Sequence, residues 1–520
     1  MSDGTTSLGR LLPWQQAALL AGITLAVFSP TLSAQFVYDA RLQILTDPFL
    51  HDPRNWLTVL TFGTLSMDVL DFNRPVNLAS LMLDAAIWGK EPFGYHLTSV
   101  LVHAANVVLV WDVLRRLAAA ASPATLIVAP LVFAVHPLVT EAVCEPTYRE
   151  DLLVAFFTLG GLVLAMGHRP DAGRFEGWRA AACVACSLLA VGSKESGIAA
   201  PVAIGAYWLL VRRGERGWFW PVVIGVAKLA VLAFLAARFL LEPAPSKIFE
   251  AKPQYPGGSL AAALLIEPRI LALYAQLVAL PVNQCADYGL YSVAHLPLPV
   301  ALIVVTAVVV ATAIAIRADP RMAIAAALVV APLVPVANIV PIYRAAADRY
   351  LYLPMAGVGL AAGLVLTAPW LAGRERLRQR LLAGAAVAVI LLAVACTERQ
   401  KVWAGPLALW TDTFQKNPVA FTAASGLAEA LREAGRLAEA EQAARRAIEL
   451  SDGKRGDAWA TLALILDGAG RSAAAFDALD RALEVDPRLA NPAARVAALA
   501  LERSYADDLA ALEERRRGRP

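Results

Sequence analysis

The sequence predicts an all-α polytopic membrane protein with about eleven transmembrane helices and a C-terminal helical solenoid of tetratricopeptide repeats. Three observations predict this class. The chain has 520 residues, of which 58% are hydrophobic and only 17% charged. Its mean hydropathy of +0.56 lies above that of a soluble globular protein of this size. Long apolar runs recur along most of the chain, and the charge-rich C-terminal part repeats at a fixed interval.

The charged residues divide the chain into two parts. Residues 397–520 hold 37 of the 89 Asp, Glu, Lys and Arg residues, more than twice the density of the preceding 396 residues. We therefore predict a membrane domain at 1–396 and a polar domain at 397–520. The net charge of +3, without a basic stripe interleaved with aromatic residues, argues against a nucleic-acid partner.

Apolar runs locate the predicted spans. A helix needs roughly 20 apolar residues to cross the hydrocarbon core of a bilayer. Eleven runs, some of them shorter, lie near 11–32, 95–114, 123–141, 151–167, 180–193, 197–211, 218–241, 297–316, 322–341, 350–372 and 381–396. Ile270–Val282 is also apolar, but it is short and follows Glu267, Pro268 and Arg269. Counting it as a span would also invert the pattern of positive residues downstream. We predict that this segment lies in the membrane interface.

Positive residues at every second junction set the predicted orientation, because they favour the cytoplasmic side. These residues are Arg10, Arg115, Arg116, Arg169, Arg174, Arg179, Arg212, Arg213, Arg216, Arg317, Arg321, Arg374, Arg376, Arg378 and Arg380. The N-terminus is then cytoplasmic. The long loops 33–94 and 242–296, together with the polar domain, face the periplasm or its equivalent. Richness in Ala, Arg and Leu favours a bacterial origin, and hence a bacterial inner membrane.

The polar domain contains a repeat. Two segments align at an offset of 35 residues, with Gly435 matching Gly470. This pattern is typical of tetratricopeptide helix pairs. Small residues that would let paired helices approach closely are Ala428, Ala440, Ala463 and Ala475. Two repeats are fewer than the three usually needed for stability, so we predict docking onto the membrane domain through Trp403 and Trp410.

Carboxylates near the membrane surface are the first candidates for chemistry, because a charged group there is costly to maintain without a purpose. Asp39 lies seven residues beyond the first predicted span. It is either a working carboxylate or an acid that marks the start of the loop. Arg74, in the same loop, is placed either to bind a phosphate bidentately or to anchor lipid headgroups.

Further candidates gather in the other predicted outer segments. They are His96, His136, Glu141, Arg149, Asp151, Lys194, Glu195, Arg349 and Tyr352. His96 and His103 are seven residues apart on one helix, a spacing that favours packing or hydrogen bonding over metal ligation. The chain has no Gly-rich phosphate loop, HExxH or GxSxG motif, so ATPase and hydrolase functions lack their sequence signatures.

Several motifs together resemble a known family. They are Val37-Tyr38-Asp39, Arg74-Pro75, Gly89–His96 with His103, Phe133–Pro137 with Thr140–Val143, Ser193-Lys194-Glu195, and Arg349–Pro354. In order and content they resemble the transmembrane and tetratricopeptide-repeat O-mannosyltransferases and their bacterial relatives, which are GT-C glycosyltransferases. The resemblance implies a sugar donor, mannose-like, carried on a polyprenyl phosphate, and transfer to an acceptor hydroxyl at the extracytoplasmic face.

The resemblance also implies roles for individual residues. Asp39 matches the first acid of the family's paired-acid motif, whereas Ala40 stands in place of the second. Asp39 would be the general base, and Arg74 or Arg349 would neutralise the leaving lipid phosphate. The remaining candidates above would bind the donor or serve the architecture. The acceptor, a protein or glycan, would bind through the repeats, while a divalent metal requirement stays open.

Two other functions remain open at this point. The chain could be a non-catalytic membrane scaffold that presents the repeats, an alternative favoured by Ala40. It could also be a lipid-linked glycan ligase or transporter. A transporter is expected to have paired broken helices in two matching halves, and the sequence has no such internal symmetry.

Overall fold

The structure is a computed structural model that describes residues 11–67, 69–168, 176–213, 215, 219–240, 254–491 and 503–518. These residues form α-helices and short 3₁₀ or π turns, and no strand occurs among them. The predicted all-helical class is therefore confirmed. Four arginines of the predicted cytoplasmic set, Arg10, Arg169, Arg174 and Arg216, lie outside the described residues, as do residues 242–253 of the second long loop.

Thirteen longer helices form the membrane region of the described chain. They are α1 (Pro13–Phe28), α2 (Pro75–Trp88), α3 (Pro92–Leu117), α4 (Pro123–Ala134), α5 (Arg149–Met166), α6 (Gly177–Ser193), α7 (Ala199–Ala206), α8 (Phe219–Leu240), α9 (Leu260–Ala279), α10 (Leu298–Ala318), α11 (Met322–Val330), α12 (Tyr352–Leu366) and α13 (Glu375–Val402). The first four begin at a proline, whose missing N–H is no loss at the first position of a helix.

Length and composition identify the helices able to cross a bilayer. Within the described residues six qualify, and a bent pair raises the number to seven if it forms one span. The six are Pro13–Ser33, Pro92–Leu117, Leu260–Ala279, Leu298–Ala318, Asp348–Leu371 and Glu375–Val402. The bent pair joins Pro123–Ala134 to Pro137–Cys144 at 50°. The chain is a polytopic membrane protein.

This number is smaller than the eleven predicted spans, for identifiable reasons. The helices near 180–193, 197–211 and 322–341 are apolar but short, because turns interrupt them. Met322–Val330, for example, passes into a 3₁₀ turn at Ala331–Val336, which contains two prolines. The helix over the run near 151–167 begins at Arg149 and carries Glu150 and Asp151 in its first turn. A count of eleven therefore stays a prediction.

The segment predicted to lie in the interface is part of a helix longer than the sequence indicates, and its place in the interface stays a prediction. It belongs to α9, a helix of 20 residues that is long and apolar enough to cross a membrane. Pro268, which precedes the apolar run, lies inside the helix. The adjacent Arg269 donates to the carbonyl oxygens of Leu265 and Leu296, both at 2.9 Å. Proline is tolerated in membrane helices where neighbouring groups satisfy the freed backbone positions.

Glycines in α12 allow the centre of the membrane region to pack closely. A Cβ atom on Gly363 would lie 2.5 Å from Leu114 Cδ2, and one on Gly357 would lie 2.7 Å from the Ala325 carbonyl oxygen. Small residues allow this approach where helices pack in a bilayer. The resulting core brings together the segments that follow α1, precede α5 and precede α12, and these segments carry the candidate site.

The polar domain contains α14 (Pro406–Lys416), α15 (Phe421–Glu433), α16 (Leu437–Leu450), α17 (Gly456–Gly468), α18 (Ser472–Val485) and α19 (Arg503–Arg517). The pair α15 and α16 repeats as α17 and α18 with every boundary shifted by 35 residues. Gly435 and Gly470 turn between the paired helices with φ of 72° and 74°. The four predicted alanines are fully buried, which confirms the repeat. Its identity as a tetratricopeptide solenoid remains a prediction.

The polar domain contacts the membrane region. Trp410 stacks on Tyr38 with ring centroids 5.2 Å apart and an interplanar angle of 25°. Trp403 is buried in the hydrophobic core of the membrane region. The predicted docking through these two residues is confirmed. The predicted domain boundary after residue 396 falls within α13, which continues to Val402.

Candidate active site

The segment that leaves the first span carries Asp39 on a short helical turn, Tyr38–Ala40. Val37 and Ala40 are fully buried, whereas the Asp39 side chain is exposed. Tyr38 has a φ of +51°, in the left-handed region that residues other than glycine seldom occupy. Such a conformation persists only where surrounding contacts hold it. The turn therefore presents one carboxylate from an otherwise buried backbone.

Tyr148 connects Asp39 to the loop before α5. Its hydroxyl donates to Asp39 Oδ2 at 2.9 Å, and the centre of its ring lies 4.0 Å from the guanidinium carbon of Arg349. Arg349 Nη1 forms an ion pair with Glu141, whose Oε2 accepts the Arg349 backbone N–H at 3.2 Å. The structure thus brings together Asp39, Glu141 and Arg349, three of the predicted residues.

The surroundings of Asp39 suit a general base. Protein atoms crowd around the exposed carboxylate, and the resulting loss of solvation raises the pKa of Asp39 above its ordinary value. The charge of Arg349 and the hydrogen bond from Tyr148 oppose that rise. Burial also raises the pKa of Tyr148, so its hydroxyl remains a protonated donor. A reachable carboxylate with a raised pKa is a better proton acceptor than an ordinary aspartate.

Arg344 is a second cation on this side of the site. Its guanidinium carbon lies 5.5 Å from the centre of the Tyr38 ring. Its Nη1 atom lies 2.5 Å from Asp287 Oδ2. Burial alone would lower the pKa of Arg344, but Tyr38 and Asp287 hold that pKa above its ordinary value. Arg344 is therefore a permanent positive charge that acts on Asp39.

A group of charges beside Asp39 forms what we call the ion-pair cluster. Its members are Asp71, Arg74, Glu150, Asp151, Lys194 and Glu195. Arg74 Nη1 lies 2.8 Å from Asp71 Oδ1 and 2.5 Å from Glu150 Oε2. Lys194 Nζ lies 3.0 Å from Glu150 Oε1 and 2.6 Å from Asp151 Oδ2. Glu150 is thus the shared partner of both cations.

The ion-pair cluster limits what Arg74 can bind. Its Nη1 atom already contacts two carboxylates, and its Nη2 atom lies 3.6 Å from Glu195 Oε2. Glu195 also accepts a hydrogen bond from Asn73 Nδ2 at 2.8 Å. A phosphate would have to compete with these carboxylates for the Arg74 guanidinium. With four acids to two cations, the cluster is a weaker anion site than the sequence predicts for Arg74.

Two predicted residues lie in the helical core. Arg149 is fully buried; its Nη2 atom lies 2.6 Å from Asp84 Oδ2 and donates to the Tyr95 carbonyl oxygen at 2.8 Å. The Tyr352 hydroxyl is hydrogen bonded to His103 Nδ1 at 2.7 Å. These contacts join α2, α3, α5 and α12. Arg149 and Tyr352 therefore connect the helices that carry the site. Their side chains do not reach the exposed face of Asp39.

The two predicted histidines also have local partners. His96 is fully buried in α3, with its ring centroid 6.2 Å from that of Phe36. His136 Nδ1 accepts the Leu138 N–H at 3.2 Å and so caps the turn that follows α4. These contacts fit a packing role for His96 and a hydrogen-bonding role for His136. Among the described residues, no group of three or more His, Cys, Asp and Glu side chains could hold a metal ion.

Sequence reasoning missed several residues of this site. Tyr148 and Glu150 lie in the run Tyr148–Asp151, which the sequence marks only as crowded with ionisable groups. Asp71 precedes Arg74 by three residues, a spacing that commonly forms an ion pair within one turn. Arg344 precedes Arg349 by five residues. The density of charge was a usable signal, but it did not identify which side chains face Asp39.

Comparisons with known proteins agree with the predicted resemblance. No protein-family model matches the chain. The chain is 23% identical over 377 residues to a protein O-mannosyl-transferase of Caenorhabditis elegans, covering 69% of this chain and 52% of that protein. It is 32% identical over 205 residues to human TMTC2, also a protein O-mannosyl-transferase, covering 37% of this chain and 23% of that protein.

The chain is similar to protein O-mannosyl-transferases over these segments. It spans about half the length, or less, of the curated relatives that it matches. Among solved structures, crystal structures of ArnT from Cupriavidus metallidurans are similar to it at 14% identity over 95% of this chain. The apo form has a TM-score of 0.43 over 76% of ArnT, and the form bound to undecaprenyl phosphate has 0.41 over 77%.

Proposed function

We propose that this chain is an integral-membrane glycosyltransferase of the GT-C type. It transfers a sugar, mannose-like by relationship, from a polyprenyl phosphate to an acceptor hydroxyl at the extracytoplasmic face. The observation that carries the proposal is the exposed Asp39 carboxylate, which Tyr148 holds by a hydrogen bond of 2.9 Å next to the Arg349 guanidinium. The proposed reaction class is taken from the sequence similarity to protein O-mannosyl-transferases.

Asp39 is the proposed general base. It removes the proton from the acceptor hydroxyl as the hydroxyl oxygen attacks the anomeric carbon of the sugar. The bond from that carbon to the lipid phosphate breaks, and the configuration inverts. General bases typically contribute about 10² to 10⁴-fold to rate. The raised pKa of Asp39 suits this role because it makes the carboxylate a better proton acceptor.

Arg349 is the proposed stabiliser of the leaving phosphate, where negative charge develops in the transition state. Tyr148 contacts both residues: its hydroxyl donates to Asp39, and its ring packs against the Arg349 guanidinium. Arg74 is a less suitable candidate because carboxylates of the ion-pair cluster occupy its Nη1 atom. Arg344 supplies additional positive charge from the Tyr38 side.

An apolar groove supports a lipid-linked donor. Helices α7, α10 and α11 line a groove of about 570 Å³, with Val202, Val309, Ala327 and Val334 among its walls. Helix α10 is the least buried of the candidate spans among the described residues, with 6% of its apolar window buried. A hydrocarbon chain in the bilayer can enter such a groove sideways. An isoprenoid tail is the proposed occupant.

The topology follows from the sequence. We place the N-terminus in the cytoplasm of a bacterial inner membrane, with eleven spans in a membrane domain at 1–396, with α9 in the membrane interface outside this count, and with a periplasmic repeat domain at 397–520. The stacking of Trp410 on Tyr38 puts the repeats on the same side as Asp39. The helical repeats are the proposed binding surface for a protein acceptor.

Mass spectrometry of surface and periplasmic glycoproteins tests this proposal. A strain that lacks the gene is compared with the same strain carrying the wild-type gene or an Asp39→Asn gene. We expect one O-linked sugar to be missing from the deletion strain and from the Asp39→Asn strain, and to return with the wild-type gene.

The control is a strain carrying Asp52→Asn. Asp52 is an acid of the same loop whose partner is the exposed Arg54, at 2.7 Å. This strain should match the wild type. Identical glycan profiles with and without the gene would contradict the proposal and favour the scaffold alternative.

A further inference from the structure

We infer that the polar domain positions the proposed base: Trp410 and Glu433 clamp the Asp39 turn, defined as residues 37–41, from both sides of Asp39. The inference rests on the proposed function only where it concerns the rate of transfer. It assigns the polar domain a part in the geometry of the active site in addition to acceptor binding. Trp410 and Glu433 are then positioning residues that act through Tyr38 and Arg41.

The first contact precedes Asp39 in sequence. Tyr38 is held between the Trp410 ring, stacked at 5.2 Å, and the Arg344 guanidinium carbon, 5.5 Å from the centre of its ring. Tyr38 is also the residue with the left-handed backbone, at φ +51°. Relaxation of that backbone to an ordinary conformation would rotate the peptide plane that leads into Asp39. The packing of Trp410 therefore maintains the direction of the carboxylate.

The second contact follows Asp39 in sequence. Arg41 donates to both carboxylate oxygens of Glu433, with Nη2–Oε1 at 2.7 Å and Nη1–Oε2 at 3.0 Å. A bidentate pair of this kind fixes orientation as well as distance. Upstream of the turn, the Gln35 backbone N–H donates to the Ala404 carbonyl oxygen at 3.0 Å. The polar domain thus holds the chain before and after Asp39.

The clamp has its own attachment to the membrane region, through residues other than 37–41. Lys416 Nζ donates to the Gln284 carbonyl oxygen at 2.7 Å. Asn417 Nδ2 donates to the Asp287 carbonyl oxygen at 2.8 Å. At the start of the domain, Arg399 Nη1 lies 2.8 Å from Asp412 Oδ2. These contacts fix the position of α14 without any residue of the Asp39 turn. Helix α14 can therefore hold Tyr38 in place through Trp410.

Misplacement of a catalytic group by about 1 Å can reduce a rate by about 10²-fold. Loss of the clamp should therefore reduce kcat, while the donor keeps its KM because its tail in the apolar groove and its phosphate at Arg349 do not depend on Trp410 or Glu433. This pattern differs from that of a domain whose only task is to bind an acceptor. Loss of such a domain would raise the KM for the acceptor and leave the Asp39 turn ordered.

The test uses the full chain in lipid nanodiscs and measures amide hydrogen exchange in residues 36–46. The variants are Trp410→Ala, Trp410→Phe, Glu433→Arg and the charge swap Arg41→Glu with Glu433→Arg. We expect Trp410→Ala and Glu433→Arg to speed exchange in this segment by about tenfold, since exchange reports local opening. Trp410→Phe, which keeps an aromatic ring, and the charge swap should restore slow exchange.

The second measurement is transfer of radiolabelled mannose from polyprenyl-phosphate mannose to endogenous membrane acceptors. Trp410→Ala and Glu433→Arg should lower kcat by about 10 to 10²-fold, with the donor KM within about twofold. The rescuing variants should recover most of kcat. The matched control is Arg446→Glu, an exposed residue of α16 paired with Glu449, which should leave both measurements unchanged.

The two measurements separate this inference from the proposed function. Unchanged exchange in both Trp410→Ala and Glu433→Arg would overturn the clamp whatever the enzyme does. Faster exchange with undiminished transfer would overturn its role in positioning. If Asp39→Asn itself retains transfer, the proposed function fails, whereas the exchange measurement still decides whether the clamp orders the turn.

Discussion

Tyr148 donates its hydroxyl hydrogen to Asp39 Oδ2 across 2.9 Å. The same ring packs against the guanidinium of Arg349 at 4.0 Å. One phenol therefore orients the only exposed acid of the Asp39 turn and places a cation beside it. Tyr148, the Arg349–Glu141 pair, the ion-pair cluster and the apolar groove each give a prediction that can be tested separately.

Tyr148→Phe should reduce sugar transfer by about tenfold or more, because hydrogen bonds to charged groups contribute about 1.5 to 3 kcal/mol. The hydrogen bond from Tyr148 lowers the pKa of Asp39, so its loss should raise that pKa further. The acid limb of the pH–rate profile should then move to higher pH. A profile of unchanged shape and position would contradict the role given to Tyr148. Tyr255→Phe, which removes a hydroxyl that donates to the Ile339 carbonyl oxygen at 3.4 Å, is the control.

Removal of Arg349 should damage stability and transfer together. Arg349→Met leaves Glu141 buried without its cation, and breaking such a pair costs about 3 to 5 kcal/mol. The double variant Arg349→Met with Glu141→Met should recover much of the thermal stability in detergent but none of the transfer. If the double variant regains transfer, the Arg349 charge has no part in the reaction.

The ion-pair cluster should give the fold a pH dependence. Burial raises the pKa of Asp71 from its ordinary 3.8 to about 6. Between these values the folded chain holds a proton that the unfolded chain has released, so the free energy of unfolding falls as pH rises from 3.8 to about 6. Asp71→Asn cannot titrate and should flatten this slope. Unfolding midpoints in detergent across that range measure it, and an unaltered slope in the variant would contradict the assignment.

The apolar groove makes a specific prediction about the donor. Val309 lines the groove on α10, whereas Val310, the next residue, is not part of its lining. Both are exposed valines, so they form a matched pair. Val309→Trp should raise the donor KM by about tenfold through loss of apolar burial, and Val310→Trp should not. Equal effects of the two substitutions would contradict a lipid tail in this groove.

The sequence predicted part of this site because topology limits where polar groups can lie. Asp39, Glu141 and Arg349 were each placed at the outer ends of predicted spans, and the structure brings them together. Arg149 also lies near the end of a predicted span, but it is buried in an ion pair with Asp84. A charge near the end of a span is equally compatible with a substrate site and with an internal ion pair. Only the packing of α2 against α5 separates these outcomes.

Other differences have similar causes. The 35-residue offset predicted the boundaries of α15 to α18, because a repeat fixes its own register. The apolar run from Ile270 is shorter than α9 because Glu267, Pro268 and Arg269 interrupt the apolar pattern without ending the helix. The stacking of Trp410 on Tyr38 was expected only as docking of the domain. No sequence periodicity connects residues 38 and 410, so their contact with the Asp39 turn required the structure.

The most direct test of the account is transfer by the purified chain with polyprenyl-phosphate mannose as the only sugar donor. Wild type, Asp39→Asn and Asp52→Asn are reconstituted at equal amounts in the same lipid with a membrane extract as acceptor. We predict that Asp52→Asn transfers sugar like the wild type and that Asp39→Asn loses about 10² to 10⁴-fold in rate at unchanged thermal stability. Transfer by Asp39→Asn at the wild-type rate would contradict the central claim that Asp39 is the base.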